Sequence, residues 1–210
     1  MAASPLTVVV EPFRHVTIDG WLDAELLRDV LGEFPDPRAA GWRRYSNGNE
    51  RKLEGPPVLW GPCTRELFTE LAARAPMLEE AFGIEGLTME TIGGGYHAIE
   101  PGGYLAVHAD FNRSPATGRH RRLNCLTYLN DDWTDPGGHL ELWNGGGCVV
   151  DVVPSFGRTV IFETSGHSWH GHPRPASRWR YSVATYFFSQ QPPSGVPRAD
   201  QSTVWHADAR

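Results

Sequence analysis

No long hydrophobic run occurs in this sequence. The stretch Thr7–Val10 comes nearest to one, far short of the roughly 18 apolar residues that a membrane-spanning helix needs. The first residues also lack the charged start and long apolar core of a secretory signal. We therefore expect a soluble, cytoplasmic protein with no membrane partner.

Cysteine is scarce and lysine is nearly absent. Cys63, Cys125 and Cys148 are an odd number, widely spaced and without a CxxC pair, which argues against a disulfide framework and a zinc knuckle. Of 19 basic residues only Lys52 is a lysine, and the formal net charge is −6. This balance argues against nucleic acid as a partner, because binding to phosphates requires an excess of positive charge.

Four arginines nevertheless crowd one short stretch, at positions 113, 119, 121 and 122. One interpretation is a coding bias that replaces lysine by arginine throughout the chain. The other is an arginine-lined entrance for an anionic substrate, since the planar guanidinium binds carboxylates in a bidentate way. We expect Arg121 and Arg122 to face solvent or to lie at a strand edge.

Length and composition favour one globular domain. The chain has 210 residues, of which 40% are hydrophobic and 21% charged, which is ordinary for a globular protein. We predict a single domain over residues 1–190, with a helical N-terminal support over 1–90 and a β-rich core over 91–190. Residues 191–210, rich in proline, serine and glycine, are predicted to form a flexible C-terminal tail.

The first 90 residues show mostly helical patterns. Apolar residues recur at spacings of three and four between Trp21 and Glu33, which predicts an amphipathic helix that Pro35 ends. A second helix is predicted from Thr64, as its N-cap, to Ala75, where Pro76 halts it. Between the two helices, residues 45–57 are typical of a hairpin or loop, and we expect this segment to fold over a site as a lid.

From residue 91 onward the pattern changes to short β-like runs separated by turn residues. Many short strands at regular spacing indicate a β-sandwich or a barrel. The predicted strands are Tyr104–Ala109, Leu123–Leu129, His139–Trp143, Val149–Val153, Arg158–Phe162 and Trp179–Phe188.

Histidine and aspartate form a recognisable pattern in this β-rich half. His108 and Asp110 are two residues apart, so a strand would present both on one face. A further histidine from a distant strand would complete a site of two histidines and one carboxylate, which suits non-haem Fe(II) and leaves positions open. His170 and His172 share a strand face by the same alternation, and either could reach the metal, whereas we expect His167 to lie in a loop.

A further candidate, an arginine, follows the histidines in the sequence. Arg180 comes ten positions after His170 and opens a strand-like run. A buried arginine is costly unless it meets a carboxylate, which its planar fork binds in a bidentate way. We therefore expect Arg180, with a hydroxyl from Tyr128, to anchor the far carboxylate of a dicarboxylic keto acid beside the metal.

Each of these residues also has a purely structural interpretation. His108 and Asp110 could stabilise a turn, Tyr128 could be an ordinary core tyrosine, and Asn124 could face the pocket or the core. His139 is expected to lie on a polar face or behind the metal ligands. The metal interpretation is favoured because no single structural explanation puts His, Asp, His and Arg in that order on consecutive strand-like runs.

At this point the sequence resembles a known family, the 2-oxoglutarate/Fe(II)-dependent oxygenases, and within it the prolyl-hydroxylase-like branch. The resemblance covers roughly residues 92–189. The motifs that carry it are Tyr104-Leu-Ala-Val-His108-Ala-Asp110, Arg122-Leu-Asn-Cys-Leu-Thr-Tyr128-Leu-Asn130-Asp-Asp-Trp133, Gly137-Gly-His-Leu-Glu-Leu-Trp143, Ser168-Trp-His170-Gly-His172-Pro173 and Arg180-Tyr-Ser-Val.

The resemblance implies a mainly β fold, a double-stranded β-helix or jelly roll with the N-terminal helices packed on one sheet. It implies His108, Asp110 and His170 as iron ligands, because the first histidine of the His-Gly-His-Pro run matches the ligand position in relatives. It further implies Arg180 and Tyr128 as residues that bind the distal carboxylate of 2-oxoglutarate, and it places Tyr104 in the same pocket. Ser182 is a second candidate for that carboxylate, after Tyr128.

The activity implied is that of an Fe(II)/2-oxoglutarate-dependent dioxygenase, which uses dioxygen to hydroxylate an unactivated C–H bond and releases succinate and CO₂. The carboxylate at Asp110 favours hydroxylation over halogenation, because halogenating relatives carry a small residue there. The expected substrate is an amino acid or related small molecule. The alternatives are a peptidyl or protein prolyl hydroxylase that acts on a macromolecule, and a non-catalytic or zinc-dependent jelly-roll protein.

Overall fold

Two antiparallel β-sheets form the body of the protein in the computed structural model, which describes residues 6–193 and 202–206. Within those residues the chain forms twelve strands. They are β1 His15–Asp19, β2 Arg43–Ser46, β3 Arg51–Gly55, β4 Thr88–Ile99, β5 Leu105–Ala109, β6 His120–Tyr128, β7 Leu140–Asn144, β8 Gly147–Val152, β9 Arg158–Glu163, β10 Trp169–His172, β11 Arg180–Ser189 and β12 Val204–Trp205.

The larger sheet has the order β1-β9-β6-β11-β4-β3-β2, and the smaller sheet has the order β12-β5-β10-β7-β8. Consecutive strands thus alternate between sheets over much of the β-rich half, which is the jelly-roll arrangement expected from the sequence. All six strands predicted there are present, with their ends displaced by a few residues at most. Alternation of apolar and turn residues was sufficient for this because each strand has at least one buried face.

Among the residues that the structure describes, three α-helices precede the jelly roll: α1 Ala24–Gly32, α2 Pro62–Ala73 and α3 Ala75–Phe82. A short 3₁₀ helix covers Pro57–Leu59. None of the helices among residues 6–193 and 202–206 has the length and apolarity that crossing a membrane would require.

The helices pack on the outer face of the larger sheet. Their buried residues, such as Leu27, Leu67 and Phe82, share one core cluster with Leu123 and Val183 of the sheet. The opposite face of the same strands points to the smaller sheet and holds a separate apolar cluster. The sheet is therefore covered on the helix side, and the polar side chains of its inner face are left to form the site.

The second predicted helix differs from the prediction in two ways. Thr64 lies inside α2 and not at its N-cap, which is Gly61, and the carboxylate of Glu33 accepts hydrogen bonds from the backbone N–H groups of Cys63 and Thr64 instead. Pro76 does not end the helical region but lies in the first turn of α3. Proline is compatible with this position, because the first turn of a helix needs no intrahelical N–H donor.

The segment 45–57, predicted as a hairpin or loop, overlaps the hairpin formed by β2 and β3, which begins at Arg43. The turn end of this hairpin is attached to the start of β5 through a bridge between Glu50 and Leu105 and through a hydrogen bond from Ala106 N to Asn49 O of 2.8 Å. Hydrogen bonds thus hold the hairpin next to β5, the strand that carries His108.

The C-terminal region is not a free tail throughout. Val204 and Trp205 form strand β12, which pairs with Ala109 and His108 of β5. The backbone N–H of His206 also donates to Val107 O. The prediction of a flexible tail over residues 191–210 is therefore wrong for residues 204–206, because unpaired backbone groups at the edge of β5 offer partners that composition does not reveal. Residues 194–201 and 207–210 lie outside the described residues.

Candidate metal centre

Strands β5 and β10 bring His108 and His170 directly opposite each other in the smaller sheet. The two imidazole rings have centroids 4.4 Å apart. The carboxylate of Asp110 lies between them, 3.4 Å from Nε2 of His108 and 3.3 Å from Nε2 of His170. One donor atom from each of the three residues lies within 4.8 Å of the others, a geometry that can hold a metal ion.

Backbone carbonyls fix the orientation of both imidazoles. Nδ1 of His108 donates to the carbonyl oxygen of Ala106 at 2.9 Å, and Nδ1 of His170 donates to the carbonyl oxygen of Ser168 at 2.8 Å. Because a carbonyl only accepts, each Nδ1 carries the proton and each Nε2 presents its lone pair to the cluster. The donor set of two imidazole nitrogens and one carboxylate is the one that suits Fe(II) with open positions.

A β-bulge in β5 places the residues that surround this cluster. His170 pairs with His108, but His172 pairs with Leu105, so three residues of β10 oppose four of β5. The bulge brings the backbone close to Gly171, where a Cβ atom would meet the carbonyl oxygen of Leu105 at 2.8 Å. Glycine between the two histidines is therefore required by the close approach of the strands.

Asp110 is held by a buried network. Nη2 of Arg121 lies 2.9 Å from Oδ2 of Asp110, and Nδ2 of Asn124 donates to the same oxygen at 2.7 Å. Nη2 of Arg121 also donates to Oδ1 of Asn124 at 2.6 Å. Burial by itself raises the pKa of Asp110, but Arg121, His170 and His108 outweigh it and hold that pKa well below its usual range.

The two neighbouring arginines point to opposite faces of β6. Arg121 is 2% exposed and its guanidinium carbon lies 3.5 Å from the ring centroid of Tyr186. Arg122 is 3% exposed and pairs with Glu163. The expectation that both face solvent or a strand edge is wrong. A register shift between β6 and β11 is the reason, because it turns Arg121 to the face that carries Asn124.

An inner cavity of about 60 Å³ extends from the cluster between the two sheets. Its lining includes Leu140, His172, Arg180 and Ser182. Arg180 is 3% exposed; its Nε donates to the carbonyl oxygen of Gly138 at 2.7 Å, and its guanidinium lies 4.9 Å from the ring centroid of Tyr128.

The polar groups around the inner cavity fit a carboxylate ligand. Among residues 6–193 and 202–206, no carboxylate forms an ion pair with Arg180, and burial is the main cause that lowers the pKa of its guanidinium. The hydroxyl of Tyr128 and Nδ1 of His172 are buried without a hydrogen-bond partner in that same part of the chain. A buried cation and unpaired polar atoms are costly unless a ligand satisfies them. 2-Oxoglutarate, with a distal carboxylate, has the group that these residues lack.

A second cavity of about 350 Å³, called the outer cavity, also borders the cluster through His108 and Asp110. Glu50, Lys52 and Glu54 line it from the β2–β3 hairpin, and Trp205 of β12 and the preceding Thr203 line it from the C-terminal segment. The charges of the hairpin are paired: Lys52 Nζ lies 3.0 Å from Glu50, and Arg43 Nη1 lies 2.7 Å from Glu54. The hairpin side of the outer cavity is therefore polar but carries little net charge.

Some candidate residues lie away from the cavities. Tyr104 lines neither of them, and its hydroxyl donates to the carbonyl oxygen of Asn47 at 3.1 Å. The bulge in β5 explains this, because it puts Leu105 and not Tyr104 on the cavity face. His139 pairs with Asp151 at 2.6 Å on the surface of the smaller sheet, and His167 is exposed in a loop, as expected. Of the four clustered arginines, Arg121 alone lines either cavity.

Sequence analysis missed three residues that line the cavities. Lys52 and His97 border both cavities, and Trp205 lines the outer cavity with its ring tilted against that of His108 at a centroid distance of 5.3 Å. Lys52 is the one lysine in the chain and sits in a segment predicted as a lid, which was a usable signal. Neither His97 nor Trp205 stands in a pattern that points to the site.

Comparison with known proteins gives a consistent result. Residues 94–188 match the family described as the 2OG-Fe(II) oxygenase superfamily. No curated protein sequence is significantly similar to the chain. Among solved structures, a Pseudomonas putida prolyl-4-hydroxylase superposes with a TM-score of 0.67 at 21% identity, covering 84% of this chain and 93% of that one.

Two further structures show the same fold. A Trichoplax adhaerens prolyl hydroxylase, solved in complex with a hypoxia inducible factor oxygen degradation domain peptide fragment, gives a TM-score of 0.64 at 16% identity and 83% coverage of both chains. A Burkholderia pseudomallei oxidoreductase of the 2OG-Fe(II) oxygenase family gives 0.57 at 14% identity, covering 90% of this chain and 88% of that one. At these identities the likeness is one of fold.

Proposed function

We propose, on the premise that this chain belongs to the 2OG-Fe(II) oxygenase superfamily through residues 94–188, that it hydroxylates an unactivated C–H bond of an amino acid or related small molecule. In this proposal His108, Asp110 and His170 hold Fe(II), and Arg180 with Tyr128 binds the distal carboxylate of 2-oxoglutarate. The observation that carries it is the juxtaposition of the three-residue cluster with a buried arginine that has no carboxylate partner among the described residues.

Bound Fe(II), with 2-oxoglutarate and dioxygen, supplies the oxidising power for C–H cleavage, so that R–H, 2-oxoglutarate and O₂ become R–OH, succinate and CO₂. The protein contributes geometry to this reaction. Nδ1–H of each histidine is held by a backbone carbonyl, and Arg121 with Asn124 holds the carboxylate of Asp110. These contacts orient the three donors before any ligand binds.

The inner cavity orients the cosubstrate and excludes water. In this proposal a carboxylate that meets Arg180 leaves the other end of the molecule directed to the cluster, since both groups line the same cavity. The apolar side chains of Ile99, Leu126 and Leu140 form much of the remaining wall. A lining of this kind limits side reactions of a strong oxidant with solvent.

The outer cavity is the proposed compartment for the substrate to be hydroxylated. Its volume of about 350 Å³ is at the lower end of small-molecule pockets, roughly 300–1,000 Å³. The hairpin on one side and Thr203 with Trp205 on the other border it. A compartment bordered on both sides favours a small molecule over an extended chain.

A second candidate is a peptidyl prolyl hydroxylase. It is favoured by the likeness in fold to prolyl hydroxylases, one of which is described with a bound peptide fragment. In that case the substrate chain would enter between the β2–β3 hairpin and β12.

Release of succinate from 2-oxoglutarate, measured under air with added Fe(II), tests the proposal. The protein is incubated with single amino acids, with their N-acylated forms and with proline-containing peptides, and the products are identified by mass spectrometry. A gain of one oxygen atom on a small molecule, with a matching amount of succinate, supports the main proposal. The same gain on peptides alone supports the second candidate.

Two variants serve as controls for this assay. Replacing His108 by alanine removes one proposed ligand and is expected to abolish succinate release, while His167→Ala removes an exposed histidine and should leave it unchanged. Iron-dependent turnover that survives in His108→Ala would contradict the assignment of the ligands.

A further inference from the structure

His172 is a buried polar side chain that the proposed mechanism does not use. It is 4% exposed, and Nδ1 has no hydrogen-bond partner among residues 6–193 and 202–206. Its ring lines the inner cavity together with Arg180. A buried imidazole nitrogen that carries a proton and finds no acceptor costs free energy comparable to a lost hydrogen bond, so its presence calls for an explanation.

The position of His172 in β10 separates it from the metal cluster. His170 and His172 alternate onto the same face of the strand, but His170 pairs with His108 whereas His172 pairs with Leu105. The cluster of potential metal donors found among the described residues contains His108, Asp110 and His170 and not His172. The imidazole ring of His172 therefore lies two residues beyond His170 along β10 and faces the inner cavity.

The surroundings of His172 are positively charged. His172 and the buried guanidinium of Arg180 line the same inner cavity. The ring of Tyr128, whose hydroxyl also has no hydrogen-bond partner in the described part of the chain, has its centroid 4.9 Å from the guanidinium carbon of Arg180. His172 and Arg180 thus line one cavity, Tyr128 packs beside Arg180, and each of the three has capacity to bind an anion.

We propose that His172 is a positioning residue whose imidazole N–H donates a hydrogen bond to the distal carboxylate of the cosubstrate, alongside Arg180 and Tyr128. This inference rests on the proposed function, since it assigns a further contact to the same cosubstrate. A neutral imidazole always has one N–H to donate, and a carboxylate accepts several hydrogen bonds at once. The third contact makes the cavity selective for 2-oxo acids that carry a second carboxylate.

The test is a binding measurement with two ligands on protein loaded with Mn(II), which does not turn over. Dissociation constants for 2-oxoglutarate and for 2-oxopentanoate are measured by titration calorimetry. The second ligand has the same carbon chain without the distal carboxylate. The proteins are the wild type, His172→Leu, His172→Gln, and His167→Leu as a control for the loss of an exposed histidine.

His172→Leu is expected to weaken 2-oxoglutarate by about tenfold to a hundredfold, the usual effect of losing a hydrogen bond to a charged group, and to leave 2-oxopentanoate unchanged. His172→Gln keeps a donor and should recover part of the loss. Mn(II) affinity and the behaviour of His167→Leu should match the wild type. Equal weakening of both ligands, or of neither, would overturn the inference.

A second measurement uses the unaltered protein and so does not depend on folding of a variant. The ¹⁵N resonances of His172 are followed in Zn(II)-loaded protein as each ligand is added. They should shift with 2-oxoglutarate and not with 2-oxopentanoate, and an identical response to both would also contradict the contact. Failure of the wild type to bind 2-oxoglutarate at all would instead refute the proposed function.

Discussion

Arg121 and Asp110 form a buried ion pair, with 2.9 Å between Nη2 and Oδ2, at the edge of the cluster that can hold a metal. Asn124 bridges the two side chains. The carboxylate is therefore oriented before metal binding, and its remaining lone pairs point to the two histidines.

The first prediction follows from this pair. Arg121→Lys keeps the charge but cannot hold Asp110 and Asn124 together, because an ammonium lacks the planar fork. We expect metal affinity to fall by about tenfold, the lower end of the effect of losing an outer-shell partner. Titration of Mn(II) into the purified variant measures this.

Arg122→Lys is the matched control. It alters the next residue of the same strand, which is equally buried and is paired with Glu163 on the opposite face. Its metal affinity should equal that of the wild type. If both variants lose metal to the same extent, a general loosening of β6 and not the contact to Asp110 is responsible.

The second prediction concerns thermal stability with and without metal. A ligand that binds only the folded state stabilises it by about 2.7 kcal/mol at a concentration one hundred times its dissociation constant. For a domain of this size each kcal/mol raises Tm by about 2–4 °C. Addition of Mn(II) at that excess should therefore raise Tm of the wild type by roughly 5–10 °C, as measured by scanning fluorimetry.

The same shift should vanish in His170→Ala and persist in His172→Leu, because only the first removes a member of the metal cluster. A shift that disappears in His172→Leu and persists in His170→Ala would reverse the assignment of the third ligand.

The third prediction tests the role of the C-terminal strand. Trp205 lines the outer cavity and packs near His108, so Trp205→Ala removes part of the cavity wall. We expect KM for the hydroxylated substrate to rise, and more succinate to form without hydroxylated product, while the dissociation constant of 2-oxoglutarate stays the same. Product and succinate are quantified in one assay.

Val204→Ala is the comparison for this change, since Val204 precedes Trp205 in β12 and lines neither cavity. The strand should stay paired and the ratio of product to succinate should stay at the wild-type value. An unchanged ratio in Trp205→Ala would show that the strand plays no part in substrate binding.

The fourth prediction concerns Gly171. A Cβ at this position would approach the carbonyl oxygens of Leu105 and Ala106 at 2.8 and 2.9 Å, so Gly171→Ala must push β10 away from β5. Overpacking of this kind costs about 1–3 kcal/mol, and the displacement should also weaken metal binding, because His170 lies beside Gly171. Gly145→Ala, where a Cβ would meet nothing within 4 Å, should change neither property in urea unfolding and Mn(II) titration.

The fifth prediction is a pH dependence of stability. Burial raises the pKa of Glu33, but hydrogen bonds from Thr64 and Cys63 outweigh it and bring the pKa below 4.5. A lowered pKa in the folded state means that the charged carboxylate stabilises the fold above pH 4.5, and that this contribution is lost as the pH falls through the folded-state value.

Glu33→Gln should therefore be less stable than the wild type at neutral pH, by about 1 kcal/mol as for the loss of a helix cap. The difference should decline in acid. Urea unfolding of both proteins at several pH values measures this, and a difference that does not depend on pH would contradict the capping role of the carboxylate.

Regular alternation made the central part of the site predictable. Alternation puts His108 with Asp110, and His170 with His172, on one strand face each, and a buried arginine needs an anion, which favours Arg180. The choice of His170 over His172 came from the family resemblance, and the structure brings His108, Asp110 and His170 together. Two irregularities escaped the same reasoning. A bulge in β5 turns Tyr104 away from the cavity, and a register shift along β6 turns Arg121 towards it.

The amino-acid sequence by itself determined the strands of the jelly roll and the order of the residues proposed to bind iron and cosubstrate, because side-chain alternation and turn residues act over a few neighbouring positions. Tertiary structure decided that Arg121 holds Asp110, that His172 borders the cavity of Arg180, and that Trp205 returns to His108. Each of these depends on strand register or on pairing between distant segments, which arise when the two sheets pack together and which no local pattern encodes.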